Sequence, residues 1–211
     1  MAMLRGRVLW AFRAFLQDRG LAPQCRQTAN DWDDQTELMD HTARRLEAFQ
    51  RRLSARAQAA LLEAEVPEWV DAKLCTELVA AFGAIEGISG AREMGAYAAD
   101  FLVDPSSEPD PKRVLIRILD LISDLTHDYE VRFEPLRRVA GRLHLTARGL
   151  NQSEYGAEAW AAAVQAVLRR NCSQAWTLME DVFVDREGST TTILCQWTTA
   201  QSGHDSERRC A

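Results

Sequence analysis

The chain is poor in the residues from which active centres are built. It has 4 histidines (His41, His127, His144, His204) and 5 cysteines (Cys25, Cys75, Cys172, Cys195, Cys210). The cysteines are odd in number, widely spaced and never in a CxxC, so neither structural zinc nor a disulfide framework is expected. They read as buried or incidental thiols. A nucleophilic enzyme needs a serine or cysteine converging with a histidine and a carboxylate. No GxSxG elbow is present, and Ser89-Gly90 has no matching context. There is no phosphate-cradling glycine loop and no GxGxxG after a strand. Asp31 with Asp33-Asp34 lacks the glycine and glutamate offsets of a calcium loop and reads as a solvated helix cap, so no metal is expected. The sequence supplies no reaction, and a non-enzyme is the expectation.

An excess of basic charge is also missing. Lys and Arg number 25 against 31 Asp and Glu, giving a net charge of −6, which argues against a nucleic-acid partner. No stretch approaches the ~20 apolar residues of a membrane span. The amino terminus has a basic start, but Arg13 interrupts its apolar run and no small-residue cleavage site follows. Val8, Leu9, Phe12, Phe15 and Leu16 instead repeat with helical spacing. No membrane partner and a cytoplasmic location are therefore expected. At 211 residues, with 46% hydrophobic and 27% charged residues, the chain has the composition of one globular domain.

The periodicity changes along the chain. After the first helix, helices are expected from Glu37 to Phe49, after Ser54, from Trp69-Val70 through Phe82, and from Ser89 to Phe101, with a turn region from Gly83 to Gly90. Pro105, Pro109 and Pro111 mark a loop. The next helix is apolar nearly all round (Val114, Leu115, Ile116, Ile118, Leu119, Leu121, Ile122, Leu125), which predicts central burial, and it ends near His127. The period then falls from 3.6 to 2. Tyr129, Val131 and Phe133 alternate with charge, as do Leu143 and Leu145 in the next strand. A helix from Ala157 to Arg170 follows, then a hairpin, Trp176 to Val184 and Ser189 to Trp197, turning at Gly188. The expected fold is α+β: an N-terminal helical bundle of about six helices, then a four-stranded antiparallel sheet in β-β-α-β-β order. Residues 1–199 form a single domain on this reading, with a helical half over residues 1–127 and a sheet module over residues 128–199, and 200–211 is a disordered tail.

That order resembles the haem–nitric oxide/oxygen binding (H-NOX) fold and the 4-vinyl-reductase-like ligand-binding domains. It is most similar to an uncharacterised haem-NOX-like paralogous family expanded in myxobacteria. The resemblance rests on Arg5-Gly6-Arg7-Val8-Leu9 with Phe12 and Phe15-Leu16, on Leu53 to Leu61 with Trp69, on Gly141 to Gly149, on the Trp160 helix, and on the hairpin ending at Trp197. Haem-binding members of the superfamily hold the propionates with Tyr-x-Ser-x-Arg, and the matching positions here read His144-Leu145-Thr146-Ala147-Arg148. The position matching their axial histidine is Ser123, in Leu119-Asp120-Leu121-Ile122-Ser123, with His127 one turn later. Serine does not replace imidazole as a gas-sensing haem ligand.

The resemblance implies a non-enzymatic regulatory or sensory module, in signalling, that binds a small apolar or anionic ligand between the helical half and the sheet. Its candidate wall is Ile118, Ile122, Leu143, Leu145 and Trp160, with Arg148 at the rim. Arg142, His144, Thr146 and Arg148 form the most polar strand face, which is either a solvated sheet face or a mouth for an anion. No cofactor is expected. The alternatives are a haem-dependent NO/O2 sensor with His127 as axial ligand, and a protein–protein interaction module without ligand. The expected partner is a small-molecule ligand or a protein, including a second copy of the chain as a homodimer.

Overall fold

The computed structural model describes residues 2–21, 36–63, 65–103, 111–137, 139–172 and 174–198. The acidic cap at Asp31 to Asp34 and the tail at 200–211 lie outside them. The helical half contains α1 (Gly6–Asp18), α2 (Thr36–Gln50), α3 (Ala55–Leu62), α4 (Ala72–Leu102) and α5 (Pro111–Leu125). Three short strands are threaded through it: β1 (Met3–Arg5), β2 (Trp69–Asp71) and β3 (Thr126–His127). They form an antiparallel sheet in the order β2-β1-β3. Strands of two or three residues carry no readable period, so nothing in the sequence pattern announces this sheet. The second half runs β4 (Tyr129–Arg137), β5 (Ala140–Arg148), α6 (Glu154–Asn171), β6 (Gln174–Val184) and β7 (Gly188–Thr198), and its sheet has the order β4-β5-β7-β6. The chain is thus α+β, with six helices and two antiparallel sheets among the described residues.

The helix α4 corrects two expectations. The turn region from Gly83 to Gly90 is helical except at Gly87, whose φ of 74° and ψ of −171° break the axis. Only glycine adopts that backbone at little steric cost. Taken as one element across this kink, Ala72–Leu102 is long and apolar enough to span a bilayer by length and composition alone, which the sequence reading did not anticipate. Its apolar residues serve the core instead: Leu78, Val79, Phe82 and Met94 are buried together with Phe12, Phe15 and Leu16 of α1. Asp71 caps α4 by accepting the Lys73 amide proton at 3.0 Å, and Ser153 caps α6 through Gly156 at 3.1 Å.

A second core lies between α5, α6 and the larger sheet. Leu143 and Leu145 of β5 and Ile193, Cys195 and Trp197 of β7 face Val114, Leu115, Ile118 and Ile122 of α5 and Ala161, Val164 and Leu168 of α6. The expected all-round burial of α5 is corrected too. Ile116 is 56% exposed, Leu119 is only partly buried, and Arg113, Arg117, Asp120, Ser123 and Asp124 share the open side. One helix face against one core needs only an apolar stripe. Thr126 Oγ1 donates to the Ile122 carbonyl at 2.7 Å where α5 ends, and Thr126 and His127 form a strand rather than another helical turn.

α4 and α6 pack with their backbones close together. A Cβ at Gly95 would stand 2.0 Å from the Ala159 carbonyl oxygen. Along the same contact, Arg92 donates to Glu158 at 2.5 Å and to Gln165 at 2.8 Å, both on α6.

Two mutational outcomes follow from this packing. Ile118→Ala should cost about 2–5 kcal/mol of unfolding free energy in urea denaturation, whereas Ile116→Ala should stay within about 1 kcal/mol; equal losses would misplace the buried face of α5. Gly95→Ala should destabilise by about 1–3 kcal/mol, because the obstacle is backbone that no rotamer can move.

Candidate functional site

A cavity of about 90 Å³ lies among the helices. Leu4 and the α1 residues Val8 and Phe12 close one side. α4 contributes Cys75, Thr76 and Val79 before the Gly87 break and Gly95, Ala98 and Leu102 after it. α5 gives Ile118, Leu121, Ile122 and Leu125, and α6 gives Gly156, Ala159, Trp160, Ala163, Val164 and Val167. The larger sheet contributes Tyr129. Its placement comes from Asp128, whose φ of 61° turns the chain sharply between β3 and β4. Aspartate tolerates the left-handed region better than most residues. The turn sends His127 into the small sheet and Tyr129 to the cavity.

Among the described residues no lining side chain carries a charge, and the polar groups come from Cys75, Thr76, Tyr129, Gln152 and the Trp160 indole. Burial pushes the Cys75 thiol up to about 12, and the nearby Asp71 acts in the same direction. Burial also raises the Tyr129 phenol, with a smaller contribution from Cys75, so both groups keep their protons at neutral pH. Gln152 is held by the sheet: its backbone N–H donates to Ser189 Oγ at 3.0 Å, and Thr191 Oγ1 donates to its side-chain Oε1 at 3.1 Å. Thr76 lines both the cavity and a surface cleft bounded by Lys73, Asn151, Asp185 and Arg186, so a single side chain faces both spaces.

The residues singled out from sequence divide at this cavity. Ile118, Ile122 and Trp160 are on its wall. Leu143 and Leu145 are not: both are 0% exposed and packed within the second core, because the sheet's inner face meets α5 and α6 directly. The space lies mainly between helices, with Tyr129 contributed by the larger sheet. Arg148 is exposed on the outer sheet face, 3.6 Å from Glu130. His127 is exposed in β3, where its ring stacks on Trp69 at 3.9 Å, and the Arg5 guanidinium lies 4.3 Å from the centroid of the same indole.

The polar strand face also has internal partners. Arg142 donates to Glu180 at 2.7 Å, His144 is 3.3 Å from Thr192, and Thr146 is 3.0 Å from Thr190. Cross-strand pairs of this kind stabilise a solvated sheet face.

A haem requires an axial donor and a propionate cradle facing one space, and these residues do not provide them. Among the described residues no histidine lines the cavity, and Ser123 is exposed. His144, Thr146 and Arg148, the positions matching the propionate motif, alternate with the inward-facing Leu143, Leu145 and Ala147 and so lie on the opposite side of β5. The cavity volume also falls well short of the roughly 300–1,000 Å³ of ordinary ligand pockets. Among the described residues no group of three or more His, Cys, Asp or Glu comes together.

Tyr129, Cys75 and Gln152 are not identifiable as site residues from sequence. Tyr129 reads as one apolar member of a strand, and Cys75 as an incidental thiol. Only the Asp128 turn and the α4 face bring them to one space.

The raised thiol has a consequence for stability at alkaline pH. The native state keeps a proton that the unfolded chain releases, so the Cys75 contribution is complete below about pH 9 and is lost as pH rises towards about 12. Urea denaturation between about pH 8 and about pH 11 should show stability falling, and Cys75→Ala should flatten that fall; an unchanged slope would remove Cys75 as a cause.

No protein-family model matches the chain, and no curated protein matches it. Solved structures do. The chain is similar to the Fe(II) unliganded H-NOX protein from K. algicida, with a TM-score of 0.54, 7% identity, and coverage of 94% of this chain and 98% of that one. An alanine-to-glycine mutant of that protein gives a TM-score of 0.50 at 8% identity, covering 92% and 97%. At such identities the likeness concerns fold alone, and it establishes that this chain has an H-NOX-like α+β fold.

Proposed function

We propose that the chain is a non-enzymatic sensory or regulatory domain that holds a small uncharged ligand between α1, α4, α5 and α6. The observation that carries this reading is the cavity wall, which is apolar apart from Cys75, Thr76, Tyr129, Gln152 and the Trp160 indole. Small-molecule sites are built in this way, from an apolar surround and a few convergent polar groups. An anionic ligand at Arg148 fits less well, because Arg148 faces Glu130 on the outer sheet face. The same reading takes residues 1–199 as one domain, a cytoplasmic location, and a protein partner or second copy as the receiver of the signal.

A haem-dependent gas sensor is the second reading. It is favoured by the fold neighbours, which are Fe(II) unliganded H-NOX proteins, and disfavoured by the positions of the histidines and of the propionate-motif residues. One preparation tests both. Protein purified from haem-supplemented cells is expected to be colourless, without a Soret band, and to show a cavity-dependent shift in melting temperature with small neutral ligands. A stoichiometric Soret band would overturn the first reading in favour of haem. A colourless protein that responds to no small molecule would leave an interaction module.

A further inference from the structure

Resting on that reading, we propose that the ligand is a small neutral molecule bearing a hydrogen-bond acceptor, such as a carbonyl oxygen, anchored by the Tyr129 hydroxyl. Two polar groups on the wall point to it. Tyr129 is half-buried and lines the cavity, and none of the side-chain hydrogen bonds among the described residues involves its hydroxyl. A hydroxyl that faces such a space without a protein partner is available to bond an occupant there. Gln152, 6% exposed, supplies the second. Thr191 engages one end of its amide, and whichever way the amide is turned, its other end is left open towards the cavity.

The rest of the wall restricts the class. Among the described residues no lining side chain is charged, and the walls of α1, α5 and α6 are almost wholly apolar. A charged ligand would be desolvated there without a counter-charge, at prohibitive cost. Size restricts it further. An apolar cavity of about 150 Å³ accepts benzene or xenon, and this one measures about 90 Å³. That admits on the order of four non-hydrogen atoms, with one acceptor directed at Tyr129 and an apolar remainder against Ile118, Ile122 and Val164. A purely apolar occupant would leave the hydroxyl and the amide unpaired.

The test uses the full chain, with acetone as the acceptor-bearing probe and xenon as the apolar one, each titrated while the methyl resonances of Val79, Ala98 and Ile118 are followed by NMR. Both probes are expected to shift these methyls saturably in the wild type. Tyr129→Phe keeps the ring and removes only the hydroxyl. It should weaken acetone about five-fold or more, the value of one neutral hydrogen bond, and leave xenon unchanged. Melting temperature should not fall in this variant, because the lost hydroxyl has no protein partner. If Tyr129→Phe leaves acetone affinity unchanged while xenon still saturates, the acceptor anchor is wrong and the cavity reading survives. If neither probe saturates in the wild type, the groups are satisfied by water alone and both ideas fall.

Discussion

The structure depends most on how closely α4 can approach α6. At Gly95 the two helices come together where any side chain would strike the Ala159 carbonyl, and interiors of this density leave no slack to absorb an added methyl. That contact fixes α6 between the two cores. On one side its Ala161, Val164 and Leu168 cover the larger sheet, and on the other its Ala159 and Trp160 face α1 and α4. Arg92 then locks the rotation of the pair by bonding Glu158 and Gln165, which lie two helical turns apart on α6. The cavity is what remains where the helices diverge from this contact.

Much of the fold was legible in the sequence because its signals were long. The alternation of Leu143 and Leu145 with polar residues, the apolar stripe of α6 and the Gly188 hairpin each extend over enough residues for a period to be read. The small sheet was not legible. Its strands pair residues as far apart as Met3 with Asp71 and Met3 with His127, and two or three residues carry no period. α5 misled for a related reason. Ile116 belongs to no core, and counting apolar residues overstated how much of the helix is covered.

The cavity was only partly legible. Ile118, Ile122 and Trp160 line it, as a helix stripe that shows which side is buried led one to expect. Leu143 and Leu145 were equally buried but belong to a different core, and periodicity cannot distinguish two cores on one element. The motif match at His144, Thr146 and Arg148 failed through a simple property of strands. Successive side chains alternate faces, so residues that read correctly in order can lie on the wrong side of the sheet. His127 is separated from Tyr129 only by the left-handed Asp128, and that single residue decides which of the two meets the cavity.

Among the described residues β6 is an edge strand of the larger sheet, with Trp176 48% and Leu178 59% exposed along it. An open edge with apolar side chains invites another chain to add a strand. Here the pairing with β7 slips between Met179 and Asp181, so Glu180 is an extra residue that bends the edge. The carboxylate of Glu180 is also tied back across β7 to Arg142. A straight, unbroken row of amides long enough to template a fibril is therefore interrupted at mid-strand, and a negative charge marks the interruption. The defect in register guards the protein against aggregating through its most exposed apolar strand.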